Sequence, residues 1–214
     1  FRLAGLGQYA GPQPADAADR ERLVKYFDPL PFWYPPLESQ DRADDAYPLH
    51  AITQRPMAMY HSWDSQNAWL RQIIADNYLY MNVQTAAAAG LADEDWIWVE
   101  SAHSRLRCRL KTMQGCEANT VWTWNAIGKH KGAWGLAADA PEATTAFLLN
   151  HLIAEHLPGG AGRFSNSDPV TGQAAWFDLK VRVRKCAAGE SGVSPAIEAL
   201  PVQQAPARLR WGTA

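Results

Sequence analysis

Between residues 78 and 124 the sequence is a succession of short segments that alternate apolar and polar side chains, each ended by a turn signal. Trp96 to Ser101 and Leu106 to Thr112 have the two-residue period of half-buried strands, and Ala102-His-Ser-Arg is predicted to connect them as a hairpin. An alanine-rich helical turn over Thr85 to Ala89 is closed by Gly90. Strands this short favour a closed sheet, because closure removes exposed strand edges. The sequence therefore predicts a compact β-barrel, mainly β with short helices.

Six strands are predicted in all, over residues 47–52, 78–83, 96–101, 106–112, 120–124 and 179–185. Ala68 to Ile74 has apolar residues spaced for one face of a short helix, and Pro141 to His156 is predicted to form a longer amphipathic helix. Trp122 and Trp124 lie on the same face of their strand, so we expect both to pack in the core. The barrel is expected to occupy residues 47–186.

The residues outside the predicted barrel have a different character. Residues 1–46 are rich in Gly, Pro, Ala and Asp and are predicted to form an extended lead-in with one short helix from Asp16 to Lys25. The proline-dense run from Asp28 to Glu38 is predicted to lie extended, with Phe32 to Tyr34 docked on a larger body; a flexible linker is the alternative. Residues 187–214 lack periodicity and are expected to form a tail. The start at Phe1, without a methionine, indicates a piece of a longer polypeptide.

Composition and motif content exclude several classes of protein. The 214 residues carry a formal net charge of −2 and no basic stripe, so nucleic acid is not an expected partner. No apolar run reaches the ~18 residues of a transmembrane helix. Cys108, Cys116 and Cys186 lack metal-ligand spacing, so we predict reduced structural thiols, with no iron–sulfur cluster or other metal in this segment. No set of nucleophile, base and orienting acid is found, so no catalytic residue is assigned.

The stretch from Thr53 to Asn67 is too polar for a strand and too irregular for a helix. It follows a predicted strand and precedes a predicted helix, where unpaired backbone N–H groups face a ligand. Its hydroxyl, carboxamide, imidazole and guanidinium groups suit a polar, polycyclic ligand, whereas an ordinary surface loop is the alternative. The candidate binding residues in this stretch are Thr53, Arg55, His61, Ser62, Ser65, Gln66 and Asn67.

Further polar candidates stand at predicted strand ends and in a second loop. Asn82 ends a strand and either contacts the ligand or caps the helical turn that follows. Asn125 and Lys129 follow the strand at 120–124 and supply a carboxamide and an ammonium group. Asn166 and Gln173 flank an Asp-Pro-x-Thr-Gly segment, which is also a sound turn by itself.

Several motifs, taken in chain order, resemble one protein family. They are Tyr80-Met-Asn82, the alanines that end at Gly90, the acidic turn Asp93 to Asp95, Trp98 to Ser101 and Val181-Arg-Val183. Together they resemble the C-terminal dinucleotide-binding domain of the molybdopterin oxidoreductases of the dimethyl sulfoxide reductase superfamily. The resemblance covers residues 47–186 and departs at Ser104, where the family usually has glycine. It implies a six-stranded, double-psi-type β-barrel.

The resemblance also implies a cofactor and an enzyme class. The cofactor is bis(molybdopterin guanine dinucleotide), held by the candidate residues above, with molybdenum held mainly by other parts of the enzyme. Tyr60-His-Ser-Trp and Val121-Trp-Thr-Trp-Asn resemble most the catalytic subunits of iron–sulfur molybdoenzymes that act on sulfur oxyanions such as sulfite. The implied partners are preceding domains of the same polypeptide, an iron–sulfur electron-transfer subunit and a membrane-anchor subunit. The implied location is the cytoplasm, attached to the inner membrane through a partner, with the periplasm as the alternative.

Two other functions stay open on the residues alone. A freestanding barrel would serve as a protein-binding module, with Phe32 to Tyr34 and Trp134 as its contact patch. A small self-processing or hydrolytic barrel enzyme is the weaker alternative, because no catalytic set supports it.

Overall fold

The computed structural model describes residues 15–26, 30, 33, 46–64, 67–74, 76–125, 127, 147–153, 173–174, 179–190 and 198–199. The chain divides into two compact units, one of Phe1–Arg42, Ala154–Ala175 and Gln203–Ala214, the other of Ala43–Ile153 and Trp176–Val202. In the first unit, helix α1 spans Ala17–Tyr26, and the Asp16 carboxylate accepts a hydrogen bond from the Ala18 N–H at 2.8 Å. The predicted short helix in this region is therefore confirmed. The predicted ends of the lead-in and the tail stay predictions.

The second unit is a β-barrel. Its strands are β1 (Leu49–Gln54), β2 (Leu79–Asn82), β3 (Trp96–Glu100), β4 (Ser104–Met113), β5 (Thr120–Trp124), β6 (Lys180–Lys185) and the short β7 (Glu198–Ala199). Hydrogen-bonded neighbours follow the order β2-β5-β1-β6-β3-β4, and β4 pairs again with β2, so six strands close on themselves. β7 pairs with the start of β4. The predicted six-stranded barrel is confirmed, and each of these six strands begins and ends within two residues of its predicted limits.

Two of the six barrel pairings are parallel, β1 with β5 and β2 with β4, and the other four are antiparallel. β5 therefore lies between β1 and β2, and β2 lies between β4 and β5. If β1 is exchanged with β4, β2 with β5 and β3 with β6, the same six pairings result, each with the same parallel or antiparallel direction. This internal two-fold relation, with two connections that each pass an intervening strand, is the double-psi arrangement that the resemblance implied.

Strand alternation decides which side chains fill the barrel. Along β4 the buried apolar residues are Leu106, Cys108 and Leu110, with partly exposed arginines and a lysine between and after them. β2 contributes Leu79 and Met81 in the same way. The other buried members of the core are Leu49, Ala51, Ala86, Leu91, Ile97, Val99, Val121, Phe147, Leu149, Leu152, Leu179 and Val181. The core is thus apolar and mainly aliphatic.

Short helices connect the strands. α2 (Ala68–Arg71) and α3 (Val83–Ala88) are α-helical, whereas His61–Trp63 and Leu149–Leu152 form 3₁₀ turns. No helix in the described part of the chain is long and apolar enough to cross a membrane.

The predicted helix from Pro141 to His156 is wrong where the structure describes it. Residues 147–153 form only the 3₁₀ turn, and Leu148 and Ile153 on either side are extended. Side chains from elsewhere in the barrel take the place of helical N–H groups here: Ser101 donates to the carbonyl of Leu152, and Ser104 donates to the carbonyl of His151. Tertiary hydrogen bonds therefore satisfy backbone groups that a helix would otherwise pair.

The prediction that Trp122 and Trp124 pack in the core is confirmed only for the burial of Trp122, which is 8% exposed, whereas Trp124 is partly exposed. Val121 and Thr123 are the fully buried residues of β5, and the core cluster includes neither tryptophan. Trp122 is buried in another way, because it stacks on Tyr80 of β2 with ring centroids 4.0 Å apart and planes 7° from parallel. Two neighbouring strands thus share an aromatic pair on the face opposite the core.

Candidate functional site

The loops after β1 and β5 leave the same end of the barrel. Because these strands are parallel neighbours, their last residues, Gln54 and Trp124, lie side by side in the register. The first residue beyond β5 stays attached to β1, since the Asn125 N–H donates to the Gln54 carbonyl at 2.7 Å. This end of the barrel, with Thr53, His61 and Asn125, is called the β1/β5 end below.

Two buried polar atoms at the β1/β5 end have no hydrogen-bond partner among the residues that the structure describes. They are the hydroxyl oxygen of Thr53 and the carboxamide oxygen of Asn125. Thr53 is 5% exposed, and it pairs in register with Thr123, the residue two before Asn125. Among the described residues the only other such atom is Nε of Arg107 on β4. Because an unpaired buried polar group is costly, two of them at one barrel end indicate a place for a hydrogen-bonding ligand.

His61 lies beside this pair in an unusual backbone conformation. Its φ is +50°, in the left-handed region that costs energy for a residue other than glycine. Its Nδ1 is 3.5 Å from the Asn125 side-chain nitrogen, which connects the loop after β1 with the loop after β5. The Tyr60 N–H donates to the Asp64 carboxylate at 2.8 Å and so fixes the turn around His61. A strained residue held in this way is typical of a functional loop.

Arg55 adds a positive charge to the same loop. Its side chain is exposed, and its guanidinium carbon lies 5.9 Å from the centroid of the Tyr60 ring. An exposed guanidinium one residue beyond β1 is suited to a phosphate, which it binds with two parallel hydrogen bonds. The loop after β1 therefore adds a cation and an imidazole to the barrel end that carries the two unpaired oxygens of Thr53 and Asn125.

Asn77 was missed by the sequence analysis, although it organises this end of the barrel. It is 2% exposed and precedes β2. Its side-chain N–H groups donate to the carbonyls of Trp124, Ile127 and Phe147 at 3.1, 3.4 and 3.4 Å. These partners are 47 to 70 residues away in the chain, so no local sequence signal announces them. The segment that follows β5 is consequently held by Asn77.

Two predicted binding residues serve as helix caps. The Asn67 side chain accepts hydrogen bonds from the N–H groups of Trp69 and Leu70 at the start of α2. The Asn82 side chain accepts from Gln84 and Thr85 at the start of α3, and its amide donates to the Cys116 carbonyl at 2.8 Å. Capping by asparagine satisfies the first N–H groups of a helix.

Asn82 also lies at the other end of the barrel from Thr53 and Asn125. β2 runs antiparallel to β5, so the end of β2 is at the barrel end opposite the β1/β5 end. Both functional groups of its carboxamide are already engaged there. Asn82 therefore has a structural role and is not a residue of the proposed site.

The remaining predicted residues are not brought together by the described structure. Ser65, Gln66, Lys129 and Asn166 lie outside the described residues, and for Ser62 only the backbone is described, within the 3₁₀ turn. Gln173 is exposed and belongs to the other unit. Their binding roles stay predictions.

The three cysteines are free. Burial raises the pKa of the Cys108, Cys116 and Cys186 thiols, so all three resist ionisation. Within the described residues no group of three His, Cys, Asp or Glu side chains is arranged to hold a metal ion.

The hydrogen-bond donors and acceptors at the β1/β5 end fit a ring edge and a phosphate of a pterin dinucleotide. The Asn125 oxygen accepts from an amino group or ring N–H, the Thr53 hydroxyl donates or accepts, and the Arg55 guanidinium matches a phosphate. The arrangement is suited to binding and orienting a ligand.

Comparison with known proteins places the chain in a family. Residues 49–162, more than half of the chain, match the model of the "Molydopterin dinucleotide binding domain" family. The chain belongs to that family, and the resemblance inferred from the motifs is confirmed.

Particular relatives are similar to different degrees. The chain is 58% identical over 204 residues to a sulfite dehydrogenase subunit of Allochromatium vinosum, in a match that covers 94% of the chain and 21% of that protein. It is 30% identical over 122 residues to acetylene hydratase of Syntrophotalea acetylenica, covering 51% of the chain and 17% of the relative. Among solved structures, acetylene hydratase from Pelobacter acetylenicus has the same fold, with a TM-score of 0.57 at 23% identity over 78% of this chain and 22% of that one. The chain thus spans about a fifth of the length of these proteins.

Proposed function

We propose that the β1/β5 end of this barrel binds the dinucleotide part of a molybdopterin guanine dinucleotide, within a molybdenum enzyme that oxidises or reduces a sulfur oxyanion such as sulfite. The observation that carries the proposal is the pair of unpartnered buried oxygens on Thr53 and Asn125. Both residues belong to the matched family segment. When bound, such a cofactor supplies two-electron chemistry at its molybdenum, and this chain's residues bind and orient it.

Each described residue of the site has a distinct task in this proposal. Asn125 accepts an N–H from the pterin or guanine edge, and the Thr53 hydroxyl completes a second polar contact beside it. His61 holds the loop after β1 against Asn125, and Arg55 neutralises phosphate charge. Because the two oxygens are buried, their hydrogen bonds to the ligand are shielded from competition by water. The bound group is thereby fixed relative to the barrel.

Sulfite is favoured as the substrate by the extent of one similarity. The similarity to the sulfite dehydrogenase protein extends over nearly the whole chain, whereas that to acetylene hydratase covers about half of it at lower identity. We extend the proposal to the assembly that such a reaction needs, with an iron–sulfur electron-transfer subunit and a membrane-anchor subunit. We place it in the cytoplasm at the inner membrane, with the periplasm as the alternative.

The test is made in the complete enzyme that contains this domain. Thr53→Val and Asn125→Ala each remove one proposed contact, and the nucleotide released by acid denaturation is quantified per polypeptide. We expect each variant to bind the nucleotide about 5- to 30-fold more weakly, which is the equivalent of one buried hydrogen bond. Thr85→Val is the matched control, because the Thr85 hydroxyl donates to the Ala118 carbonyl at the start of α3, away from the site.

The identity of the released nucleotide is read in the same experiment. Guanosine monophosphate supports the guanine form, and cytidine monophosphate contradicts it. Full nucleotide content in both Thr53→Val and Asn125→Ala would show that the cofactor is held elsewhere.

A further inference from the structure

We infer that Asn77 is the positioning residue of this site: its carboxamide sets the direction in which Asn125 faces the ligand. The inference rests on the proposed function and adds a residue outside the ligand's contact shell. Asn77 precedes β2, is buried, and lies next to β5 at the β1/β5 end.

Asn77 is joined to distant parts of the chain through its side-chain nitrogen. Its side-chain nitrogen faces the carbonyls of Trp124, Ile127 and Phe147, the first two of which flank Asn125. A segment fixed on both sides of a residue leaves that residue little rotational freedom. Within the described structure, the backbone of Asn125 is also held by its N–H bond to Gln54 on β1.

The Asn77 carboxamide is itself held in one orientation. Its oxygen accepts hydrogen bonds from the Thr123 hydroxyl at 2.9 Å and from the Tyr78 N–H at 3.1 Å. Donors on one side and acceptors on the other admit a single orientation of the amide. Thr123 therefore secures the orientation of Asn77 in the interior, directly beside the unpartnered Thr53 of β1.

Substitution of Asn77 removes the donor that these carbonyls share. A carboxylate has the shape of a carboxamide but no N–H, so Asn77→Asp turns an oxygen toward three carbonyl oxygens. Asn77→Ala leaves the same carbonyls without a buried donor. In either case the segment after β5 loses its attachment while the ligand contacts of Asn125 and Thr53 remain chemically present.

The experiment uses the complete enzyme and two readouts. One is the rate at which nucleotide is released under mildly denaturing conditions. The other is hydrogen–deuterium exchange at the backbone N–H of Asn125, with Val121 in the middle of β5 as an internal reference. For Asn77→Ala and Asn77→Asp we expect about tenfold faster release and faster exchange at Asn125, with exchange at Val121 unchanged.

A second pair of variants covers the case in which Asn77 variants fail to fold. Thr123→Val keeps the shape of the side chain and removes the hydroxyl that orients Asn77, whereas Thr123→Ser retains that hydroxyl. We expect Thr123→Val to release nucleotide faster and Thr123→Ser to behave as the unmodified enzyme. The control for a loss of stability alone is Ser101→Ala, which removes the buried hydrogen bond to the Leu152 carbonyl at 2.7 Å.

The outcomes separate this inference from the proposed function. Normal release and normal Asn125 exchange in Thr123→Val would overturn the inference, as would equal acceleration in Ser101→Ala and Asn77→Ala. If Asn125→Ala loses nucleotide while the Asn77 and Thr123 variants keep it, the binding site stands and the positioning role is wrong. If Asn125→Ala also keeps its nucleotide, the proposed site itself is wrong.

Discussion

Glu100 shows how a single residue is stabilised at the surface of this barrel. Its carboxylate is buried at the end of β3, where it accepts hydrogen bonds from Nε of Arg182 at 2.7 Å and Nε of Arg184 at 3.0 Å. Burial acts to raise the pKa of Glu100, but the bonds to Arg182 and Arg184 outweigh it, so the pKa lies below its ordinary value. The ionised form is thus the one that the fold stabilises.

A pH dependence follows from the lowered pKa of Glu100. A carboxylate with a depressed pKa contributes stability above its unfolded pKa of about 4.5, and this is lost as the pH falls through the lower folded value. We expect Glu100→Gln to lower the free energy of unfolding at neutral pH, because it removes the charge to which both arginines donate. The expected loss is only about 2 kcal/mol, since both arginines are partly exposed and screened. The measurement is urea denaturation between pH 7 and pH 3. An identical acid limb in the variant and the unmodified chain would contradict the assignment.

At the scale of elements, α3 is a six-residue helix with defined ends. Asn82 caps its start, and Gly90 ends it with a φ of +69°. The Gly90 N–H donates to the Ala87 carbonyl and the Leu91 N–H to the Ala86 carbonyl, the paired bonds of a Schellman motif. Buried Leu91 and Ala86 add the apolar contact of that motif. The alanines between these two residues favour the helical conformation, and Asn82 and Gly90 fix where the helix begins and ends.

The conformation of Gly90 predicts a specific cost for substitution. A Cβ at Gly90 would meet nothing within 4 Å, so Gly90→Ala carries only the backbone penalty of the left-handed region, about 1 kcal/mol. Gly115→Ala is the matched control, because a Cβ there would make an ordinary 3.7 Å contact with the end of Met113 and no positive φ is required. Chemical denaturation of the two variants measures the difference. Equal stability of the two variants would show that α3 does not need a residue in the left-handed conformation at its C-terminal end.

At the scale of the whole molecule, large apolar side chains are exposed along the connection between β1 and β2. They are Met57, Tyr60, Trp63, Trp69 and Ile73. Trp69 and Ile73 have the spacing of one apolar helix face, yet both are exposed and α2 has no buried residue. A soluble monomer seldom exposes so many apolar groups in one stretch. This connection also carries Arg55 and His61 of the proposed site.

We predict that the 214-residue chain by itself self-associates through this stretch. Replacing Trp69 and Ile73 with glutamine should lower the association measured by light scattering, because it removes apolar surface without touching the barrel core. Replacing Met113, which is exposed outside this stretch, is the control. A monodisperse unmodified chain at high concentration would favour the freestanding binding module over a domain that packs on a larger enzyme.

Much of the fold was open to prediction, because it rests on local periodicity. The alternation along β3 and β4 specified strands and the direction of their side chains, and Gly90 marked the end of α3. The loop after β1 was identified from its polar composition, and the caps at Asn67 and Asn82 carry the ordinary signal of asparagine before a helix. The amphipathic pattern at residues 147–153 misled, since its apolar residues pack without forming an α-helix.

The sequence by itself determined the strands, the closed barrel and the family, because each depends on side-chain alternation and on motifs of adjacent residues. Only the tertiary structure decided which polar groups share an end of the barrel. The parallel pairing of β1 with β5 brings Thr53 beside Thr123 and next to Asn125, and it leaves Asn82 at the other end. Asn77 acquires its role from carbonyls 47 to 70 residues away. Such contacts follow from chain crossing and register, which no local pattern encodes.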